Sequence, residues 1–238
     1  MLCVSIAERT FSSVGQSLKS CMQEADMAEI RLDSLAGSFS EKACRELLSL
    51  SPIPLIFTCR KGDEGGQFAG TEEERIKRLA AAVDAGAPYV DVELRTEAGL
   101  RNGLVDHAHG NGCMVIMSWH NFSETPELEE LERVLSDQVA SGADIAKIVT
   151  MGRESGDIPR LFSLYYMAYR LDIPLVSFCM GETGKISRVA SLAMGAFFTF
   201  ASVDDGTETA PGQIPLHQFR KIMDICSQGT TSTTLPGT

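Results

Sequence analysis

No apolar run in the 238 residues approaches the ~20 needed to cross a bilayer as a helix. A membrane-spanning segment is therefore not expected. The opening Met1-Leu2-Cys3-Val4-Ser5-Ile6 is apolar but meets Glu8 and Arg9 at once. It lacks a basic flank and a small-residue cleavage site, so no secretory leader is read. The seven cysteines (3, 21, 44, 59, 113, 179 and 226) are odd in number, scattered, and free of any Cys-x-x-Cys pair. That pattern argues against structural zinc and points to reduced thiols in the cytoplasm. Basic charge is also scarce, with 21 Lys and Arg against 32 Asp and Glu and a net charge of −11. Such a field repels nucleic acid, and no nucleic-acid partner is expected; an anionic small molecule would need a few arginines placed locally against it. A Gly-rich phosphate loop is missing after the first apolar run, where Ala7-Glu8-Arg9-Thr10 stands instead. That disfavours a doubly wound dinucleotide-binding sheet.

What is present is an alternation from end to end. Short apolar runs lie near 2–6, 28–33, 53–59, 88–94, 113–119, 143–149, 173–179 and 196–200. Helix-like segments fall near 12–23, 40–48, 71–86, 98–109, 125–141, 157–170, 186–195 and 215–227. Thr71 with Glu74 makes a capping box, and Ile76, Leu79, Ala80 and Val83 follow as one apolar stripe. Thr125 is the expected cap of the next clear helix, with Pro126 at its first position. Strand and helix candidates repeating at roughly 25–35 residues predict an α/β fold, a single-domain (β/α)8 TIM barrel over 1–227. Residues 228–238 (QGTTSTTLPGT) are polar and aperiodic, and read as a flexible tail or linker.

Parallel strands covered on both faces should be nearly all apolar. Several here are not. In Ala143-Asp144-Ile145-Ala146-Lys147-Ile148-Val149, a lysine shares a strand face with Ile145 and Val149. Burying an ammonium is costly and favours the neutral, nucleophilic amine; the plain alternative is a lysine that snorkels to water. Glu29, Arg31 and Asp33 share a face, as do Asp91, Glu93 and Arg95, Thr58 and Arg60, and Ser118 and His120. One amphipathic strand can be an exposed edge, but five in a closed barrel cannot. Their polar faces are expected to look inward, bringing Arg31, Arg60, His120 and Lys147 to one mouth. Glu29, Asp91 and Glu93 would balance these cations, and the counter-charge of Lys147 itself is expected from Glu29, Glu64 or Glu93. His107 and His109 read as a surface pair, Cys59 and Cys179 as packing residues, Gly181-Glu182-Thr183-Gly184-Lys185 as a mobile loop, and 202–213 as a lid over the site.

Glu29-Ile30-Arg31-Leu32-Asp33, Thr58-Cys59-Arg60 with Glu64-Gly65-Gly66, Ser118-Trp119-His120-Asn121-Phe122, Ala146-Lys147-Ile148, Ile186-Ser187-Arg188 and Ala210-Pro211-Gly212-Gln213 stand in the order found in type I 3-dehydroquinate dehydratases. The resemblance covers about residues 1–227. It implies conversion of 3-dehydroquinate to 3-dehydroshikimate in the shikimate route to aromatic amino acids, by a cytoplasmic homodimer with no metal or other cofactor. By position, Lys147 resembles the Schiff-base lysine, His120 the general acid/base, Glu64 the acid that supports it, and Arg188 the arginine that binds the substrate carboxylate. Ser5, Glu29, Arg31, Arg60, Met180, Phe200, Thr209 and Gln213 match substrate-binding positions. The chain departs from the family's common pattern in having Thr209 for serine and Phe178 for methionine, and in lacking the usual N-terminal strand pair before the first barrel strand. Some relatives are fused to shikimate dehydrogenase, which the tail could lead into. The rival readings are another Schiff-base barrel enzyme of the aldolase type and a catalytically silent barrel used for binding.

Overall fold

The computed structural model describes residues 1–36 and 40–227; the expected tail at 228–238 lies outside them. One sheet runs through the molecule in the order β7-β6-β5-β4-β3-β2-β1-β8-β9, every neighbour parallel. Its strands are β1 (Leu2–Ile6), β2 (Met27–Arg31), β3 (Leu55–Thr58), β4 (Tyr89–Glu93), β5 (Met114–Asn121), β6 (Ile145–Met151), β7 (Leu175–Met180), β8 (Thr199–Ser202) and the two-residue β9 (Ile214–Pro215). The helices between them are α1 (Phe11–Cys21), α2 (Glu41–Leu50), α3 (Glu72–Asp84), α4 (Ala98–Gly110), α5 (Leu128–Ala140), α6 (Asp157–Arg170), α7 (Gly181–Ala193) and α8 (Leu216–Ser227). This is the TIM-barrel α/β fold, with β1 part of the barrel sheet itself. The ladder does not join β7 to β8. That seam is bridged by the Phe197 amide donating to the Leu175 carbonyl at 2.9 Å and by the Phe178 and Phe200 rings, 6.3 Å apart.

Alternation sorts the side chains as the sequence requires. Val4, Ile6, Ala28, Ile30, Leu55, Phe57, Val90, Val92, Val115 and Met117 point outward into the layer under the helices. A second outer cluster joins Trp119, Ala146 and Ile148 to Leu131, Leu135, Leu161 and Leu164. Cys3, Met27, Ile56, Ile116, Ile145, Val176 and Phe198 plug the barrel's interior. Above that plug the inward positions turn polar, and the site begins there. Six of the seven cysteines are buried and all are free. No helix among the described residues is long and apolar enough to cross a membrane.

Three local expectations are corrected. Thr125 does not cap a helix: α5 starts at Leu128, and the Thr125 hydroxyl instead meets the Thr150 hydroxyl at 2.8 Å and the Met151 carbonyl at 3.0 Å. Those partners give it more than a solvated N-terminus would. Gly181-Glu182-Thr183-Gly184-Lys185 is the first turns of α7 and not a mobile loop. Gly181, at φ +82°, lets the chain pass from strand to helix without a linker. Gly184 allows the helix to close on β7, since a Cβ there would stand 2.5 Å from the Cys179 carbonyl oxygen. Arg95 lies beyond the end of β4 and is exposed; its guanidinium sits over Trp119 at 4.9 Å. The capping box at Thr71 and Glu74 forms as read.

Candidate active site

The floor of the barrel mouth is a row of inward side chains from adjacent strands: Ser5 on β1, Glu29 and Arg31 on β2, Thr58 on β3, Asp91 and Glu93 on β4, Ser118 and His120 on β5, Lys147 on β6. Period-two alternation in neighbouring strands places them together. Arg60 follows β3 directly, and a single 3₁₀ turn, Gly62–Glu64, delivers Glu64. The cavity above them encloses about 440 Å³, open solvent at its mouth included. It is lined by Glu29, Arg31, Arg60, Glu64, His120, Lys147, Met180, Arg188, Phe200, Thr209 and Gln213, with Phe178 among the wall residues. Every catalytic and binding residue expected from the sequence therefore reaches it, except Ser5. Ser5 donates to Glu29 at 2.6 Å and lines the neighbouring cavity, so it orients a carboxylate of the floor and does not face the pocket.

Buried charge is tolerated when it is paired and hydrogen-bonded, and here nearly all of it is. Arg31 forms a two-pronged pair with Asp33 at 2.9 and 2.7 Å. Arg60 reaches Asp91 at 2.8 Å, Glu93 at 3.1 Å and the Ser118 hydroxyl at 2.6 Å. Lys147 is only 4% exposed. Its Nζ lies 2.9 Å from Asp91 and 3.6 Å from Glu29. The counter-charge of the lysine is thus Asp91 first and Glu29 second. Glu64 is spent on His120, and Glu93 on Arg60 and Arg75. Burial works to raise the Asp91 carboxyl, but Arg60 and Lys147 outweigh it and hold the group well below the usual carboxylate range. Burial likewise opposes ionisation of Glu29, and Lys147 and Arg31 bring it net below its ordinary value.

Two groups stand apart. Burial, together with the cations Arg60 and Lys147, keeps the His120 ring well below its ordinary value, so it is neutral near pH 7. Its Nδ1 lies 2.9 Å from Glu64 Oε2, which also accepts from the His120 backbone amide at 3.1 Å. Burial pushes the Glu64 carboxyl up to about 7, so near neutral pH it stands partly protonated beside the neutral ring. The other exception is Arg188, on α7 and fully buried. Its Nη2 donates to the Pro211 carbonyl at 3.0 Å, and its Nε and Nη1 have no partner. No carboxylate among the described residues pairs with it. Burial without that compensation pulls the guanidinium down to about 9. An unsatisfied buried fork facing a cavity is a receptor for a planar anion.

Sequence reading missed Arg75, which lies outside the cavity. From α3 it binds Glu93 at 2.5 Å, the Cys59 carbonyl at 2.9 Å and Thr96 at 2.8 Å, so it steadies the carboxylate that steadies Arg60. A buried arginine within the charged run Glu72-Glu73-Glu74-Arg75 carries no periodic signal that separates it from a solvated one. From the segment 202–213, Thr209 and Gln213 line the cavity and bond each other, the Gln213 amide donating to the Thr209 hydroxyl at 3.1 Å. The His107 and His109 rings reach Asp84 at 2.8 Å and Asp144 at 2.9 Å on the surface, as a solvated pair should.

Residues 2–230 match the model of the family described as type I 3-dehydroquinase. A 3-dehydroquinate dehydratase of Desulfotalea psychrophila is 36% identical over 93% of this chain and 96% of its own length. A bifunctional 3-dehydroquinate dehydratase/shikimate dehydrogenase of Arabidopsis thaliana is 34% identical over 83% of this chain, which spans 33% of that protein. The crystal structure of 3-dehydroquinate dehydratase from Geobacillus kaustophilus superposes with a TM-score of 0.89 at 28% identity, over 97% of this chain and 92% of that one.

Asp91→Asn leaves Arg60 and Lys147 short of a buried counter-charge. It should destabilise the protein by about 3–5 kcal/mol, read by urea unfolding. A loss below about 1 kcal/mol would show that the pairs do not hold the floor together.

Proposed function

The chain belongs to the type I 3-dehydroquinase family, and from that premise we propose that it dehydrates 3-dehydroquinate to 3-dehydroshikimate, in the shikimate pathway, through an imine on Lys147. The observation that carries this is the placing of an amine, a neutral imidazole and an unpaired guanidinium in one cavity.

A ketone with a hydroxyl on the β carbon loses water easily once the carbon between them is deprotonated. That carbon is a very weak acid until the ketone becomes an iminium, which only an amine can make. The Lys147 ammonium passes a proton to the neutral His120 ring, the amine adds to the ketone carbon, and the imidazolium returns that proton to the departing carbinol hydroxyl. One water leaves as the imine forms. His120 then takes the proton from the adjacent carbon, and the electron pair is delocalised as an enamine. The pair returns to expel the hydroxyl, which takes the proton back from the imidazolium and leaves as a second water. A water added to the conjugated imine releases the product and restores the amine. Two waters leave and one enters, so the net loss is one. Arg188 takes the substrate carboxylate on its empty Nε and Nη1. Glu29, Arg31, Arg60, Thr209 and Gln213 offer acceptors and donors to the ring hydroxyls, and Met180 and Phe200 cover its apolar edge.

The family premise sets aside an aldolase. A silent barrel is disfavoured because Lys147 and His120 both stand at the cavity. We further infer a homodimer. The exposed positions of α6 between Arg160 and Arg170 are Ser163, Tyr166 and Tyr169, and the two tyrosines are 69% and 80% exposed. Tyr169 shares a groove with Met194, and residues 189–196 carry no charge. Two copies of a chain of net charge −11 repel over most of their surface, and a face that presents two exposed tyrosines and Met194 with few charges is where they can meet. Cytoplasmic placement rests on the seven free thiols and is open to test by cell fractionation.

Borohydride added with 3-dehydroquinate should fix a reduced adduct on Lys147, read as a mass increase on that residue. His120→Ala should still trap the adduct while losing about 10²–10⁴-fold in kcat. No adduct on Lys147 in the wild-type protein would rule out the imine. Glu64 carries its charge only above about pH 7, and only then does it stabilise the imidazolium. The kcat should therefore fall as pH drops through that value, and Glu64→Gln should lower kcat and erase this limb of the pH profile. The same limb persisting in the Gln variant would assign it to another group. Sedimentation should give a dimer for the wild type and a monomer for Tyr169→Asp; a wild-type monomer at micromolar concentration contradicts the paired state.

A further inference from the structure

Three arginines line the cavity, and among the described residues Arg188 is the one of them without a carboxylate partner. Arg31 spends Nε and Nη2 on Asp33, and Arg60 spends both terminal nitrogens on Ser118, Asp91 and Glu93. Arg188 gives one nitrogen to the Pro211 carbonyl and leaves two empty. A fully buried cation without a carboxylate needs some other source of stabilisation. It is supplied from one side: the Arg188 Cζ lies 4.3 Å from the centre of the Phe178 ring. The negative face of an aromatic ring attracts a guanidinium, most strongly where water is excluded. The ring does this without accepting a hydrogen bond in the plane of the fork.

Phe178 is also tied to the nucleophile. Its ring meets Phe200 edge-on at 6.3 Å and 69°. Phe200 in turn lies under the Lys147 Nζ at 4.5 Å and is braced by Phe198 at 5.2 Å and 86°. An apolar wall therefore runs from the anion receptor to the amine, with one cation over each of two adjoining rings. All three phenylalanines are buried.

We propose that Phe178 is a positioning residue for carboxylate recognition: its ring face holds the Arg188 guanidinium at a fixed place and tilt while leaving Nε and Nη1 free for the substrate. A carboxylate in the same place would steady the guanidinium equally well, but would occupy the fork and cancel its charge. An aliphatic side chain would fill the space and leave the cation without an attractive partner on that side. The ring meets both needs, and Phe200 extends the same surface to Lys147, which fixes the span between the two cations. The aromatic at position 178 thus contributes to selecting a ring that carries a carboxylate at the Arg188 end and a ketone at the Lys147 end.

The inference rests on the proposed reaction for the identity of the anion, so its test separates the two. Quinate carries the carboxylate and hydroxyls of the substrate but has no ketone, so it cannot form an imine. Its binding by calorimetry reads the receptor alone, while borohydride trapping with 3-dehydroquinate reads the reaction. Phe178 is replaced by Leu and, by site-specific incorporation, by 4-fluoro- and 3,4,5-trifluorophenylalanine. The fluorinated rings keep the shape of the side chain and progressively weaken its negative face. The quinate Kd should rise stepwise with fluorination and by about tenfold in Phe178→Leu. The KM for 3-dehydroquinate should rise in parallel, with kcat within about threefold, and Lys147 should still be trapped at saturating substrate. A Kd unchanged across the fluorinated rings, even with a loss in Phe178→Leu, would reduce Phe178 to a space-filling role and overturn the proposal. Quinate binding that follows the series without any adduct on Lys147 would uphold the receptor and reject the reaction.

Discussion

A charge in the dry interior of a barrel must be matched, and the pairing of cations with carboxylates governs everything at this mouth. Arg31 with Asp33, Arg60 with Asp91 and Glu93, and Lys147 with Asp91 and Glu29 form a continuous floor in which each carboxylate also accepts from a neighbour. Arg75 reaches in from α3 to complete it. Leaving one buried charge without its partner costs several kcal/mol, so the floor is rigid as a unit. Among the described residues that line the cavity, Arg188 is the cation left without a carboxylate, and it gains its meaning from that background. Where Arg31, Arg60 and Lys147 are matched, an unmatched guanidinium beside them is an invitation to an anion.

The same pairing separates the two proton-handling groups. The cations that lower the Asp91 carboxyl also hold His120 neutral, because a second positive charge beside Arg60 and Lys147 is unfavourable. Glu64 sits one step further from them, where burial prevails and its carboxyl is raised to about 7. Two carboxylates in one site are thus driven in opposite directions, one to remain a permanent counter-charge and the other to exchange a proton with an imidazole. Both are equally buried; what separates them is the partner, two cations in contact with Asp91 and a neutral imidazole in contact with Glu64.

Most of this was legible in the sequence because strand alternation is a strict rule. Charged residues at every second position of five strands cannot face the helices, so Glu29, Arg60, Asp91, His120 and Lys147 had to look inward. Which carboxylate would meet Lys147 was not legible. Asp91 and Glu93 have the same parity on β4, and only the stagger of β4 against β5 and β6 puts the shorter side chain under the amine and the longer one on Arg75. Local signals failed where tertiary partners were stronger. Thr125 has the residue type of a cap but finds Thr150, and the glycines of Gly181-Glu182-Thr183-Gly184-Lys185 permit close helix–strand packing, not mobility. Arg75 was invisible because nothing in its neighbourhood of glutamates announces burial.

The proposed chemistry at this mouth depends on Lys147 acting as a nucleophile within a matched floor. The most direct check is the ultraviolet absorbance of a conjugated enone after 3-dehydroquinate is mixed with the protein. It should grow with the wild type and stay flat with Lys147→Met, which keeps an unbranched side chain as far as Cε and removes the amine. No growth with the wild type, or equal growth with the variant, would contradict the account.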